Sequence, residues 1–203
     1  MKINFDNVIC REKLPNGLER EVIALSGEWE FKESAGILLI LSPDAGKTEA
    51  LFRCIAGVES PDSGKISITG CDSKPVYIPK VTSLPEWLTT EENIALPLKI
   101  KGLSKSEITG KVRDAAKAAG LEGYEQHIPH PKSKGYLFRV ELARALAAGA
   151  KFVLINDSIS GTGKPNRQEL YNLIGKISGE TGIFFLVASS ESSENYGFPS
   201  INL

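Results

Sequence analysis

The sequence predicts an α/β fold built on a mostly parallel sheet, and three observations carry that prediction. Continuous apolar runs at 36–41, 151–155 and 183–187 read as strands buried on both faces. Helical patterns with an apolar face lie between them. The first run leads through a short loop holding Gly46, Lys47 and Thr48 into a helix, which makes a strand–loop–helix unit.

Taken in order, Ile3–Ile9 and Val22–Phe31 alternate in polarity around Pro15, Asn16 and Gly17, a turn signal, and read as an antiparallel β region. The buried strand 36–41 follows, then the loop 42–46. Lys47–Ile55 reads as a helix with Ala50, Leu51, Cys54 and Ile55 on one face, stopped at Gly57. Pro61 to Gly64 is a turn before a short strand, 65–69. From about Thr89 to Gly120 the pattern is helical, with Ser104 and Glu107 placed as a capping box. Pro129 and Pro131 interrupt it before a helix at 136–148. The strand 151–155, a helix at 168–177 and the strand 183–187 complete the pattern. No internal repeat or low-complexity stretch occurs.

Composition narrows the classes. The chain has 203 residues, with 41% hydrophobic and 24% charged, enough for one domain with a real core. A net charge of -1 gives no bulk attraction to nucleic acid. The first residues alternate like a strand and do not resemble a signal peptide. The longest apolar run, 37–41, is far too short to cross a bilayer. Cys10, Cys54 and Cys71 are widely spaced, which fits a reduced compartment. A cytoplasmic protein is expected, with any membrane attachment made through a partner.

The loop 41–48 lies where a phosphate-binding loop belongs. In such loops backbone N–H groups surround phosphate, a lysine neutralises it and a hydroxyl holds Mg²⁺. Gly46, Lys47 and Thr48 fit, whereas Leu41 replaces the first glycine of the motif. Further along, Leu51–Gly57, Pro61–Ile66, Leu88–Leu98, Lys101–Ser104 and Arg139–Leu146 follow in an order that resembles ABC-type ATPases. The segment from Leu88 to Ser104 resembles ATP-binding subunits of nitrate, taurine and sulfonate importers. The resemblance covers nearly the whole chain. It implies a P-loop NTPase core with an N-terminal antiparallel β region and an inserted helical subdomain at about 86–135, while the family's usual C-terminal hairpin is expected to be absent here.

The resemblance also implies a site in which Ser42, Pro43, Asp44, Ala45, Gly46, Lys47, Thr48 and Glu49 face ATP, with Mg²⁺ held by Thr48 and Asn156. Several positions depart from the family pattern. Asp44 replaces a glycine, and a carboxylate beside polyphosphate costs on the order of 1–4 kcal/mol. The loop reads equally as a nucleotide site or as a turn that holds no ligand. Lys80 falls at the glutamine that senses Mg²⁺ and water, and reads there as a solvated lysine. Residues 132–136 fall at the signature loop, where Ser133 and Gly135 survive. Asn156 stands at the metal-binding aspartate, and Asp157 at the general-base glutamate. Ser189 stands at the histidine that contacts the γ-phosphate, and Leu14 or Glu12 at the adenine platform.

Groups that stabilise phosphoryl transfer act as a set, so several losses approach the loss of all. The expectation is a pseudo-ATPase that binds, regulates or supports a complex, with ATP possible, Mg²⁺ weak and Asp157 the remaining candidate base. Its expected partners are a second copy, an intact ATPase subunit, a permease or another complex. The alternative is a working importer subunit for a small organic anion that uses Lys47, Thr48 and Asp157. A scaffold that binds no nucleotide is a third reading.

Overall fold

The structure is a computed structural model and describes residues 1–13, 19–31, 36–131, 133–190 and 196–203. The turn expected at 15–17, Leu14 and Lys132 lie outside those residues. Two sheets and two sets of helices form the fold. Strands β1 (Lys2–Lys13), β2 (Glu19–Glu30) and β4 (Ser63–Thr69) make an antiparallel sheet in the order β2-β1-β4. A Cβ at Gly64, which has φ +77°, would collide with the carbonyl oxygens of Asp6 and Asn7, so this irregular edge of the β1–β4 pairing needs glycine.

The second sheet is parallel throughout, in the order β5-β6-β7-β3-β8. Its strands are β3 (Ile37–Leu41), β5 (Val76–Ile78), β6 (Phe152–Asn156), β7 (Phe184–Ser189) and β8 (Ser200–Asn202). Because all five run one way, the loops after β3, β5, β6 and β7 emerge at a single edge. Ligands of open parallel sheets bind at that edge.

Helix α1 (Ala45–Ile55) lies between the two sheets. Its Leu51, Phe52, Cys54 and Ile55 pack with Ile3, Phe5 and Trp29 of the antiparallel sheet, and with Leu38, Ile40, Phe152 and Leu186 of the parallel one. On the opposite face, Ile37, Leu39, Val153, Ile155 and Phe185 pack with Leu170, Tyr171, Ile174 and Ile177 of α5 (Lys164–Thr181). The apolar runs of the parallel strands are thus covered on both faces.

The helical pattern of 89–120 is two helices, α2 (Thr90–Ile100) and α3 (Lys105–Ala118). Lys101 caps the first and Gly102, at φ +72°, turns the chain. Both helices start in capping boxes, Thr89 with Glu92 and Ser104 with Glu107. They pack on α4 (Lys134–Ala147), which buries Leu137, Val140, Ala143 and Ala147 against them and Phe138, Leu142 and Ala145 against the parallel sheet's core. One helix therefore ties the helical subdomain to the core.

Candidate functional site

The phosphate loop is anchored from below by Ser42. This residue is buried, donates its N–H to the Ser189 carbonyl at 3.1 Å, and its Oγ accepts the Asp44 N–H at 3.2 Å. Asp44 is the N-cap of α1. Its Oδ1 accepts the N–H groups of Gly46 at 2.9 Å and of Lys47 at 3.2 Å. These donors are among the free N–H groups at a helix start that make such a loop bind anions. Thr48 is buried and donates its hydroxyl to the Ala45 carbonyl at 3.1 Å. Pro43 is exposed, Ala45 and Glu49 are half-buried, and the Lys47 ammonium makes no hydrogen bond or ion pair with another described residue.

The loops after β5 and β6 meet beside it. Asp157 is buried and has φ +51°, a left-handed conformation that aspartate tolerates better than most residues. Its Oδ2 accepts Lys80 Nζ at 2.7 Å, and its Oδ1 accepts the Ser190 N–H at 3.1 Å and the Ser160 hydroxyl. Burial pushes the carboxyl up, but the bonds from Lys80, Ser160 and the Ser190 N–H outweigh it and hold the group below the usual range. Lys80, read from the sequence as solvated, is committed to this ion pair while its side chain stays 44% exposed.

Asn156, 1% exposed at the end of β6, turns its amide NH₂ to Tyr77 Oη at 3.1 Å and to Glu49 Oε2 at 3.5 Å. Its Oδ1 has no hydrogen-bond partner among the described residues. Asn156, expected from the sequence to help hold Mg²⁺, thus presents an amide donor and one neutral oxygen. Among the described residues no group of three His, Cys, Asp or Glu could hold a metal.

Two features of the site escaped sequence reading. Glu141, on α4, is 2% exposed and accepts the Ser83 N–H at 2.8 Å and the Thr82 hydroxyl at 3.1 Å. Arg144 donates to Ser83 Oγ at 2.6 Å. Together they fasten the segment that carries Lys80. The other feature is Ser190, an Asp157 partner just beyond β7. A buried glutamate in an otherwise apolar helix face was the one signal available.

In the segment expected to be the signature loop, Ser133 caps α4 without a side-chain bond, and Tyr136 folds back so that its hydroxyl meets Thr90 Oγ1 at 2.5 Å. This region borders a cavity of about 850 Å³, away from the phosphate loop. His127 and His130 are exposed there. Ser189 is buried at the end of β7, while Glu12 lies in β1.

A parallel sheet with a glycine–lysine–threonine loop after one strand, a polar pair after another and an inserted helical subdomain defines a nucleotide-binding cassette. A family profile described as ABC transporter matches residues 28–160, and the chain belongs to that family. The family binds ATP, usually with Mg²⁺. The chain is 29% identical to the ABC transporter ATP-binding protein YtrE of Bacillus subtilis, over 86% of this chain and 82% of that protein. It is 27% identical to the sulfate/thiosulfate import ATP-binding protein CysA of Mycobacterium tuberculosis, over 79% of this chain. It is 32% identical to the spermidine/putrescine import ATP-binding protein PotA of Thermotoga maritima, over 76% of this chain. The chain spans about half the length of these two importers, 48% and 44%. These two relatives are named for the import of sulfate or thiosulfate and of spermidine or putrescine, not for the nitrate, taurine or sulfonate that Leu88–Ser104 suggests. Among solved structures, the dimeric cassette MJ0796 bound to ADP and phosphate matches with a TM-score of 0.81 at 21% identity, covering 99% of this chain and 94% of that one. That likeness supports the fold.

Proposed function

We propose that this chain is a cassette subunit of a transporter-like complex that hydrolyses ATP weakly or not at all. The observation that carries the reading is the Lys80–Asp157 pair. A general base must reach a proton within about 3 Å or through one water. Here Asp157, the only carboxylate at the expected base position, is held by an ammonium and hydroxyls and has a depressed pKa. Asn156 offers no charge for Mg²⁺, and hard cations favour carboxylates. Among the described residues no helix is long and apolar enough to cross a membrane, so a permease partner would supply the transmembrane part.

The relatives favour a second reading, an ATP-hydrolysing importer subunit, since CysA and PotA are named as import ATP-binding proteins. On that reading Lys47 and Thr48 bind the phosphates and Mg²⁺, and Asp157 acts as base after Lys80 leaves. Steady-state turnover of Mg·ATP by the purified chain, beside Lys47→Ala, separates the two. Equal background rates support the first reading. Turnover typical of transport ATPases, lost in Lys47→Ala, establishes the second.

A further inference from the structure

The residues of the phosphate site do not fit the nucleotide and metal that the family binds, and the misfit has a consistent direction. Where a phosphate oxygen would accept the N–H groups of Gly46 and Lys47, Asp44 Oδ1 already accepts both, at 2.9 and 3.2 Å. Where a divalent cation would sit near the carboxylate after β6, Lys80 Nζ lies 2.7 Å from Asp157 Oδ2. The neighbouring Asn156 turns an NH₂ toward Tyr77 and Glu49 instead of a carboxylate toward the site.

We propose that the site is closed by its own side chains, with Asp44 as an internal anion in the place of phosphate and Lys80 as an internal cation in the place of metal. The inference deepens the reading above and rests on its placement of the nucleotide site at residues 42–49. A backbone N–H has one proton to give, so a phosphate gains these donors only when Asp44 swings away. The swing forfeits the cap of α1, worth roughly a factor of five. It also leaves a carboxylate near the phosphates, which weakens binding by a further factor of about 5 to 1000. The remaining groups stay competent for an anion. Gly46 and Thr48 are in place, and the Lys47 ammonium has no hydrogen-bond or ion-pair partner among the described residues. Removing the Asp44 side chain therefore opens a working polyphosphate site, and with Lys80 already supplying positive charge it does so without a divalent cation.

The test is equilibrium titration of a fluorescent trinitrophenyl-ATP, in EDTA and in Mg²⁺, into the full chain and its variants. Wild type shows no saturable binding up to millimolar nucleotide. Asp44→Gly gains binding by at least about 30-fold, because glycine at an N-cap costs little and removes the carboxylate. The gain vanishes in Asp44→Gly with Lys47→Ala and differs by less than about twofold between EDTA and Mg²⁺. Asp44→Asn, which keeps an accepting oxygen without the charge, recovers the charge factor alone, a gain of about 5-fold or more, and it serves if Asp44→Gly proves unfolded by circular dichroism. Wild-type affinity equal to that of Asp44→Gly overturns the proposal, as does a folded Asp44→Gly that gains nothing. Binding of Asp44→Gly that requires Mg²⁺ overturns the role given to Lys80. A wild type that binds tightly without turnover overturns this proposal and leaves the non-hydrolysing reading standing.

Discussion

Lys80 Nζ and Asp157 Oδ2, at the ends of two adjacent parallel strands, lie 2.7 Å apart, and this pair joins the segment after β5 to the segment after β6. Asp157 is 3% exposed and Lys80 44% exposed in their side chains, so the carboxylate depends on the ammonium more than the reverse. Replacing Lys80 by methionine leaves Asp157 with its serine partners alone. A stability loss of about 1–2 kcal/mol is expected in urea unfolding, below the figure for a fully buried pair because Lys80 is partly solvated.

The same pair sets a dependence on pH. Asp157 is held below its usual range, so its contribution is fully present above the unfolded carboxyl's pKa of about 4. It is lost as pH falls through the lower folded value. Lys80→Met brings the folded value back up, and its acid unfolding should begin at a higher pH than that of wild type. Circular dichroism followed from pH 7 to 2 checks this.

Glu141 titrates in the other direction. Burial pushes its carboxyl up despite the opposing bonds from Ser83, Thr82 and Arg144. A raised acid is favourable below its unfolded pKa and loses stability as pH rises through the folded one. Glu141→Gln should therefore gain on wild type as pH rises above about 4. Glu141→Ala, which strands the Ser83 N–H, should lose about 1–3 kcal/mol at any pH. Thermal unfolding across that range separates the two variants.

Cys10 on β1 and Cys54 on α1 are buried with their sulfurs 3.3 Å apart. Burial pushes the Cys54 thiol up to about 12 and raises Cys10 as well. Iodoacetamide should label Cys71 in the folded chain and reach Cys10 and Cys54 only after denaturation, as peptide mass spectrometry would show. Prompt labelling of Cys54 at neutral pH would contradict its placement between the sheets.

Much of the fold is legible in the sequence, because three of the five parallel strands are continuous apolar runs and the Ser104–Glu107 capping box follows a four-residue rule. β5 (Val76–Ile78) and β8 (Ser200–Asn202), three residues each, are too short for any period to register. α5 begins at Lys164, ahead of the expected Gln168, because Pro165 opens a helix as readily as it breaks one. Of the site, the replaced residues were visible, but their new partners were not. Residues 80 and 157 are separated by 77 positions, and the strand order brings them together. Asp44 was legible as an obstacle to phosphate. Its capture of the Gly46 and Lys47 amides depends on the turn into α1, which residue identity does not reveal.

The most direct test is the amide signals of Gly46 and Lys47 in a nitrogen-15 proton correlation spectrum, recorded while Mg·ATP is added to millimolar concentration. With Asp44 holding both amides, their positions should stay unchanged. Saturable shifts at both residues in the wild-type chain would show that phosphate takes the loop and would contradict a self-filled site.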